Sequence, residues 1–160
     1  MNNLIDTAEL EALLQQLGED VRQGYMEQLL QHDRKATGAL LDSVTSVVVV
    51  NDLVYEVKLQ LADYWKYVEE GTAPHWPPRK AILDWINAKP VIPRPDKNGR
   101  LPSPEQLAFL ISRKIARVGT EGSHDLQKTL DTIMPVWDER LKAALARMWT
   151  KYVRQIFYLD

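Results

Sequence analysis

The sequence predicts an α+β fold: a small antiparallel sheet, at least the hairpin 43–61, flanked by helices and finished by a long C-terminal helix. Three observations carry this. Residues 43–50 (SVTSVVVV) are β-branched and strand-like, and the run from Leu53 to Leu61 alternates with period two. Apolar residues recur at helical spacing through 7–32, 79–88, 103–118 and 123–159. Turn-forming Gly and Pro residues separate these stretches. At 160 residues, with 45% apolar and 26% charged side chains, the chain reads as one domain of ordinary soluble composition, long enough to bury a core.

In chain order, the first helix is expected over 7–32. Asp6 stands at the N-cap with Glu9 at N3, and Ile5 and Leu10 sit at the hydrophobic-staple positions. Leu10, Leu13, Leu14, Leu17, Val21, Tyr25 and Leu29 give its buried face. Gly18 and Gly24 weaken it by about 1 kcal/mol each relative to Ala and permit a close approach or a bend. Thr37-Gly38 interrupts. Asn51-Asp52 is placed as the two-residue hairpin turn. On the return strand Tyr55, Val57, Leu59 and Leu61 take one face, while Val54, Glu56, Lys58 and Gln60 take the other. Two strands alone are marginal, so they need helices, further strands or a neighbouring subunit.

Residues 62–87 (ADYWKYVEEGTAPHWPPRKAILDWIN) form a corner between sheet and helix. Tyr64, Trp65 and Val68 begin a turn of helix, with Tyr64 and Val68 on one side. Glu69-Glu70-Gly71-Thr72 ends it, Gly71 taking a positive φ at little cost. Pro74, Pro77 and Pro78 prevent helix from resuming before Arg79. The helix 79–88 turns Ile82, Trp85 and Ile86 to one side. Residues 89–102 (KPVIPRPDKNGRLP) then read as an extended arm or open hairpin tipped by Asp96-Lys97-Asn98-Gly99, with Val91 and Ile92 favouring docking over full solvation.

Ser103-Pro104-Glu105-Gln106 is a strong helix start, with Ser as N-cap, Pro at N1 and Gln at N3. Leu107, Leu110, Ile111, Ile115 and Val118 form the apolar face expected to be buried, and Gly119 ends the helix. Ser123 opens the last helical region. Pro135 either kinks it or starts a second helix. Beyond it Trp137, Leu141, Leu145, Met148, Tyr152, Ile156 and Leu159 make one long stripe.

The net charge of -2 hides an asymmetry. Residues 1–36 hold three basic and seven acidic groups, and 37–75 hold two and six. Residues 76–118 hold nine and three, and 119–160 six of each. A basic middle and an acidic first half suit subunits that meet head to tail, or a polyanionic partner; solvated faces produce the same pattern. The cations singled out for interaction are Arg79, Lys80, Arg94, Arg100, Arg113, Lys114 and Arg117, with Trp76 and Trp85 nearby. A sequence pI near 5.9 argues against a dedicated DNA binder.

No catalytic constellation is legible, and no cofactor is expected. Adjacent Glu69 and Glu70 point about 100° apart on a helix and make a poor acid–base pair, so they are expected to be solvated or interfacial. His75 lacks a second His at metal-ligand spacing, and His32 and His124 stand at helix ends. Ser43, Ser103 and Ser123 fit capping or turn roles rather than a nucleophile elbow, and no phosphate-cradling glycine loop is present. No apolar run approaches 18 residues, and the start MNNLIDTAELE is not that of a signal peptide, so no membrane partner is expected. With no Cys there is neither a disulfide framework nor a thiolate zinc site, which fits a reducing cytoplasm.

Five stretches occur in a fixed order: Thr37-Gly38-x-Leu40-x-x-Ser43 before the hairpin; Tyr64-x-x-x-Val68-Glu69-x-Gly71-Thr72; Pro77-Pro78 before the short helix; Ala108-Phe109-Leu110-Ile111-x-Arg113-Lys114-Ile115; and Gly119-Thr120. Over residues 37–120 this resembles the tail-component family, the neck and tail-completion proteins that join head to tail in tailed bacteriophages. The resemblance implies an α+β subunit assembled as a six- or twelvefold ring, located in the virion neck after assembly in the host cytoplasm. It also implies portal, other neck or tail proteins as partners, with DNA passing through the ring without sequence-specific binding. The corner residues Tyr64, Trp65, Val68, Glu69, Gly71, Thr72, Pro77 and Pro78 are structural on that reading. The alternative is a nucleic-acid-associated adaptor, unrelated to phages, that uses the basic segment 76–118; an enzyme ranks third.

Overall fold

The structure is a computed structural model and describes residues 7–32, 38–51, 54–89, 91–95 and 97–157. The elements run α1 (Ala8–Gln31), α2 (Ala39–Ser43), β1 (Thr45–Asn51), β2 (Val54–Gln60), α3 (Trp65–Glu70), β3 (Gly71–Thr72), α4 (Arg79–Ala88), α5 (Pro104–Val118), β4 (Thr120–Glu121) and α6 (Asp125–Phe157). The fold is α+β, with an antiparallel hairpin and a long C-terminal helix. The chain divides into two compact units.

The first unit holds α1 through Gln28, the β1–β2 hairpin and α6. Its core is Leu14, Leu17 and Val21 of α1 with Trp137 of α6. Val48, Tyr55, Val57 and Leu59 pack onto that core from the hairpin, so helices supply the cover that two strands lack. The ladder runs from Thr45↔Gln60 to Asn51↔Val54. Along β2, half-buried Tyr55, Val57 and Leu59 alternate with exposed Val54, Glu56, Lys58 and Gln60, as the alternation predicts. The turn assignment is corrected at Asn51, which stands in the ladder paired with Val54; Asp52 and Leu53 lie outside the described residues.

Gly18 and Gly24 are sites of close approach. A Cβ on Gly18 would meet Val57 and Ser46 at 3.0–3.1 Å, and one on Gly24 would meet the Thr129 methyl at 2.9 Å. Trp137 is nearly fully buried; its indole N–H donates to Asp20 Oδ2 at 3.0 Å, and the Arg140 guanidinium lies 4.0 Å from its ring centre. Burial of so large a ring with its polar handle satisfied makes it the main anchor of this core.

α6 runs unbroken through Pro135, which therefore neither ends it nor starts a second helix. Its buried line is Trp137, Leu141, Ala144 and Met148, not the whole expected stripe: Leu145 is 49% exposed and Ile156 50%. The reason is angular. At about 100° per residue, two successive four-residue steps from Trp137 carry Leu145 about 80° round the helix, whereas a four-then-three step returns to the core side. Ile5, Asp6, Thr37 and Leu159 lie outside the described residues.

The second unit holds residues 29–42 and 62–124. The short helix α2, which the sequence pattern did not suggest, precedes the hairpin. α3, β3 and α4 make up the corner, and α5 and β4 follow it. α4 and α5 pack together, and α5 begins with both bonds of a capping box: Gln106 N–H to Ser103 Oγ at 3.3 Å and Ser103 N–H to Gln106 Oε1 at 2.9 Å. The described residues between Lys89 and Ser103 form neither helix nor strand. Gly99 turns there with φ 77°; Val91 is half-buried, while Ile92 is 92% exposed and docks on none of the described residues.

Candidate interaction surface

The corner is a clip between two separated stretches. Gly71 pairs with Glu121 and Thr72 with Thr120, and the two threonine hydroxyls lie 2.9 Å apart. Just outside this ladder, Ser123 N–H donates to the Val68 carbonyl at 2.9 Å and His124 N–H to the Glu69 carbonyl at 3.1 Å. Gly71 (φ 78°) and Gly119 (φ 73°) both need the left-handed half of backbone space. A side chain on either would drive into backbone across the clip, at the Thr120 and Thr72 carbonyl oxygens respectively. The sequence marked Gly71 and Gly119 only as helix ends and gave no sign that the residues after them pair. Tyr64 is the N-cap residue of α3, Trp65 and Val68 are half-buried, and buried Pro77 with exposed Pro78 leads into α4. One expectation fails: Glu69 is buried, 7% exposed, while Glu70 is exposed. The clip holds the Glu69 backbone, and its side chain turns inward with it.

The seven cations separate into groups. Arg79 from α4 and Arg94 and Arg100 from the arm line one hollow of about 860 Å³ with Trp76, Leu101 and Phe109. Trp76 and Phe109 stand with ring centres 6.0 Å apart, tilted 58°. Glu105 also lines this hollow. Its carboxyl is held below the usual carboxylate range by its own backbone N–H first, then by the Ser103 hydroxyl, with the Arg79 charge adding to both. Arg113, Lys114 and Arg117 line a second, smaller hollow of about 230 Å³ with Leu110 and Val118. Lys80 joins neither; it pairs with Asp84 at 2.7 Å on the face of α4.

The α5 expectation is corrected in the same place. Ala108 and Ser112 are its buried residues, with Ile111 and Ile115 half-buried beside them. Leu110 is 47% exposed, and Phe109 and Val118 are exposed as well. At about 100° per residue Leu110 lies about 160° from Ala108, between Arg117 and Lys114. The cations therefore stand among bare apolar side chains rather than at the rim of a filled face. Phe109, four residues before Arg113 and so on its side of the helix, is the site residue that periodicity did not single out.

Among the described residues no group of three or more His, Cys, Asp or Glu could hold a metal ion, and no helix is long and apolar enough to cross a membrane. Comparison with protein-family models, with curated proteins and with solved structures finds no match to this chain.

Proposed function

We propose that the protein is a structural ring subunit of a phage head–tail connector, joining the portal or capsid side to the tail. The observation that carries this reading is the surface of the second unit. Trp76, Leu101, Phe109, Leu110 and Val118 stay exposed and are interleaved with Arg and Lys. Exposed apolar patches of this kind mark interaction surfaces, and Arg with aromatic residues dominates the energetics of protein interfaces. The clip lends support: it brings Gly71-Thr72 and Gly119-Thr120, two of the motifs that carry the family resemblance, into one ladder. A heterologous contact between such subunits closes into a ring when its rotation divides the circle, which accords with six or twelve copies. DNA would pass through without base-specific contacts.

The test is a copy count on assembled particles by quantitative mass spectrometry or by symmetry in particle images. Six or twelve copies at the neck are expected; one or two per particle, or none, overturn the proposal. The Arg79–Arg94–Arg100 hollow with its two aromatic rings also favours a second reading, an adaptor that stacks single-stranded nucleic acid. That reading requires tight, salt-sensitive binding of an oligonucleotide by the isolated protein.

A further inference from the structure

The second unit carries a feature complementary to its own hollow. At the start of α3, Tyr64 and Tyr67 are exposed, three residues apart and so on neighbouring positions of one helical face. Exposed Asp63 and Glu70 flank them, and exposed Glu121 lies across the clip from Gly71. The cation within this group, Lys66, lies over the Trp65 ring at 5.9 Å. The result is an aromatic knob with an acidic border. The hollow is the converse: two aromatic rings and Leu101 bordered by three guanidinium groups.

We infer that the Tyr64–Tyr67 knob of one copy seats in the Trp76–Phe109 hollow of the next, a head-to-tail contact between second units; this rests on the ring reading and names its contact. Tyrosine suits the hollow because its ring packs on Trp76 and Phe109 while its hydroxyl reaches a guanidinium. The carboxylates of Asp63 and Glu70 meet Arg79, Arg94 and Arg100, whose planar forks match carboxylates. Knob and hollow share no residue, so each copy can offer its knob to one neighbour and its hollow to another, a heterologous contact. Hollow set against hollow would bring six guanidinium groups face to face, and knob against knob would oppose carboxylates, so like patches do not pair.

The chain has no cysteine, so single cysteines report the contact cleanly. Lys66→Cys marks the knob and Leu101→Cys the hollow, both at exposed positions; the second trims Leu101 from the lining and leaves both rings and the three guanidinium groups in place. The two full-length chains, mixed and treated with a short bismaleimide, should give a cross-linked heterodimer, while either alone gives none. Arg79→Glu with Arg100→Glu on the hollow chain, or Tyr67→Ser on the knob chain, should lower the yield by about tenfold or more, the scale of one hot-spot residue. Circular dichroism on each variant checks that the fold is kept. Cross-linking within one chain type alone, yield indifferent to the reversals, or no cross-link at any concentration overturns the contact. Salt-sensitive binding of oligothymidylate that the Arg reversals abolish, without a cross-link, assigns the hollow to nucleic acid and also overturns it. Six or twelve copies per particle with no 66–101 cross-link removes this contact and leaves the ring reading; one or two copies removes the ring reading itself.

Discussion

Replacing Gly71 with Ala should destabilise the second unit well beyond an ordinary glycine substitution. Its backbone sits at φ 78°, ψ -166°, a region that is almost glycine-only and costs an L-residue about 1–3 kcal/mol. The added Cβ would also press on the Thr120 carbonyl oxygen and lie 2.7 Å from the Gly122 nitrogen. Both obstacles are backbone, so no rotamer change relieves them; the ladder has to open. Opening it forfeits the Ser123–Val68 and His124–Glu69 bonds, about 0.5–1.5 kcal/mol each. The sum is about 2–6 kcal/mol, or a fall in melting temperature of about 10 °C for a chain of this size. Gly99→Ala is the control. It shares the positive φ, 77°, but nothing stands within 4 Å of its Cβ, so it should cost only about 1–2 kcal/mol. Urea titration followed by circular dichroism compares the two. If Gly71→Ala costs no more than Gly99→Ala, the clip is not rigid and the steric argument is wrong.

Four further outcomes are expected. Trp137→Ala should cost about 3–5 kcal/mol in urea denaturation, and Asp20→Ala, which removes the acceptor of the indole N–H, about 1–3 kcal/mol. Ser103→Ala removes one arm of the α5 capping box and should cost about 1 kcal/mol, with earlier amide exchange in the first turn of that helix. Glu19 is held at about 2, first by its hydrogen bond with Arg22, then by Gln23; because its folded value is depressed, its contribution is present above the ordinary 4.5 and lost as pH falls toward 2. Arg22→Ala should move that titration, read by NMR, back toward 4.5. Arg113→Glu with Arg117→Glu should leave circular dichroism nearly unchanged and reduce incorporation into particles; normal assembly with trapped or leaking DNA would assign these cations to the channel.

The sequence was most legible where one local rule acted alone. α5 starts at Ser103 because cap, Pro and Gln coincide there, and α4 spans the predicted 79–88 because three prolines bar any earlier start. The face of β2 followed from strict alternation. The two-residue strands β3 and β4 were hidden, because a ladder that short has no periodicity and joins residues 48 apart. Glu69 could not be placed because its burial comes from that ladder and not from its neighbours in sequence. The three cations of the larger hollow were each named, yet their grouping depends on how the arm returns to α5, which spacing does not encode.

The two helical corrections share a cause. On α5 and on α6, apolar residues fall on two strips, and only one faces its unit's core. Ala108, Ile111, Ser112 and Ile115 fill one side of α5, leaving Phe109 and Leu110 beside Arg113 and Arg117. Trp137, Leu141, Ala144 and Met148 fill one side of α6, leaving Leu145, Trp149 and Ile156 bare. Of the five cations in 140–157, only Lys142 lies beside the outward strip of α6, and it is paired with Asp138 and Glu139. The exposed strip of α5 therefore combines apolar area with positive charge, whereas that of α6 is mainly apolar. Long Arg and Lys stems can shield part of that area in the free subunit while their heads stay hydrated. A surface built this way gains most from a partner that brings both apolar cover and carboxylates. The acidic first half of the chain supplies carboxylates in every copy. On the proposed ring reading, neighbouring copies can meet the demand made by the exposed side of α5, a side that a single-core reading of the pattern would have buried.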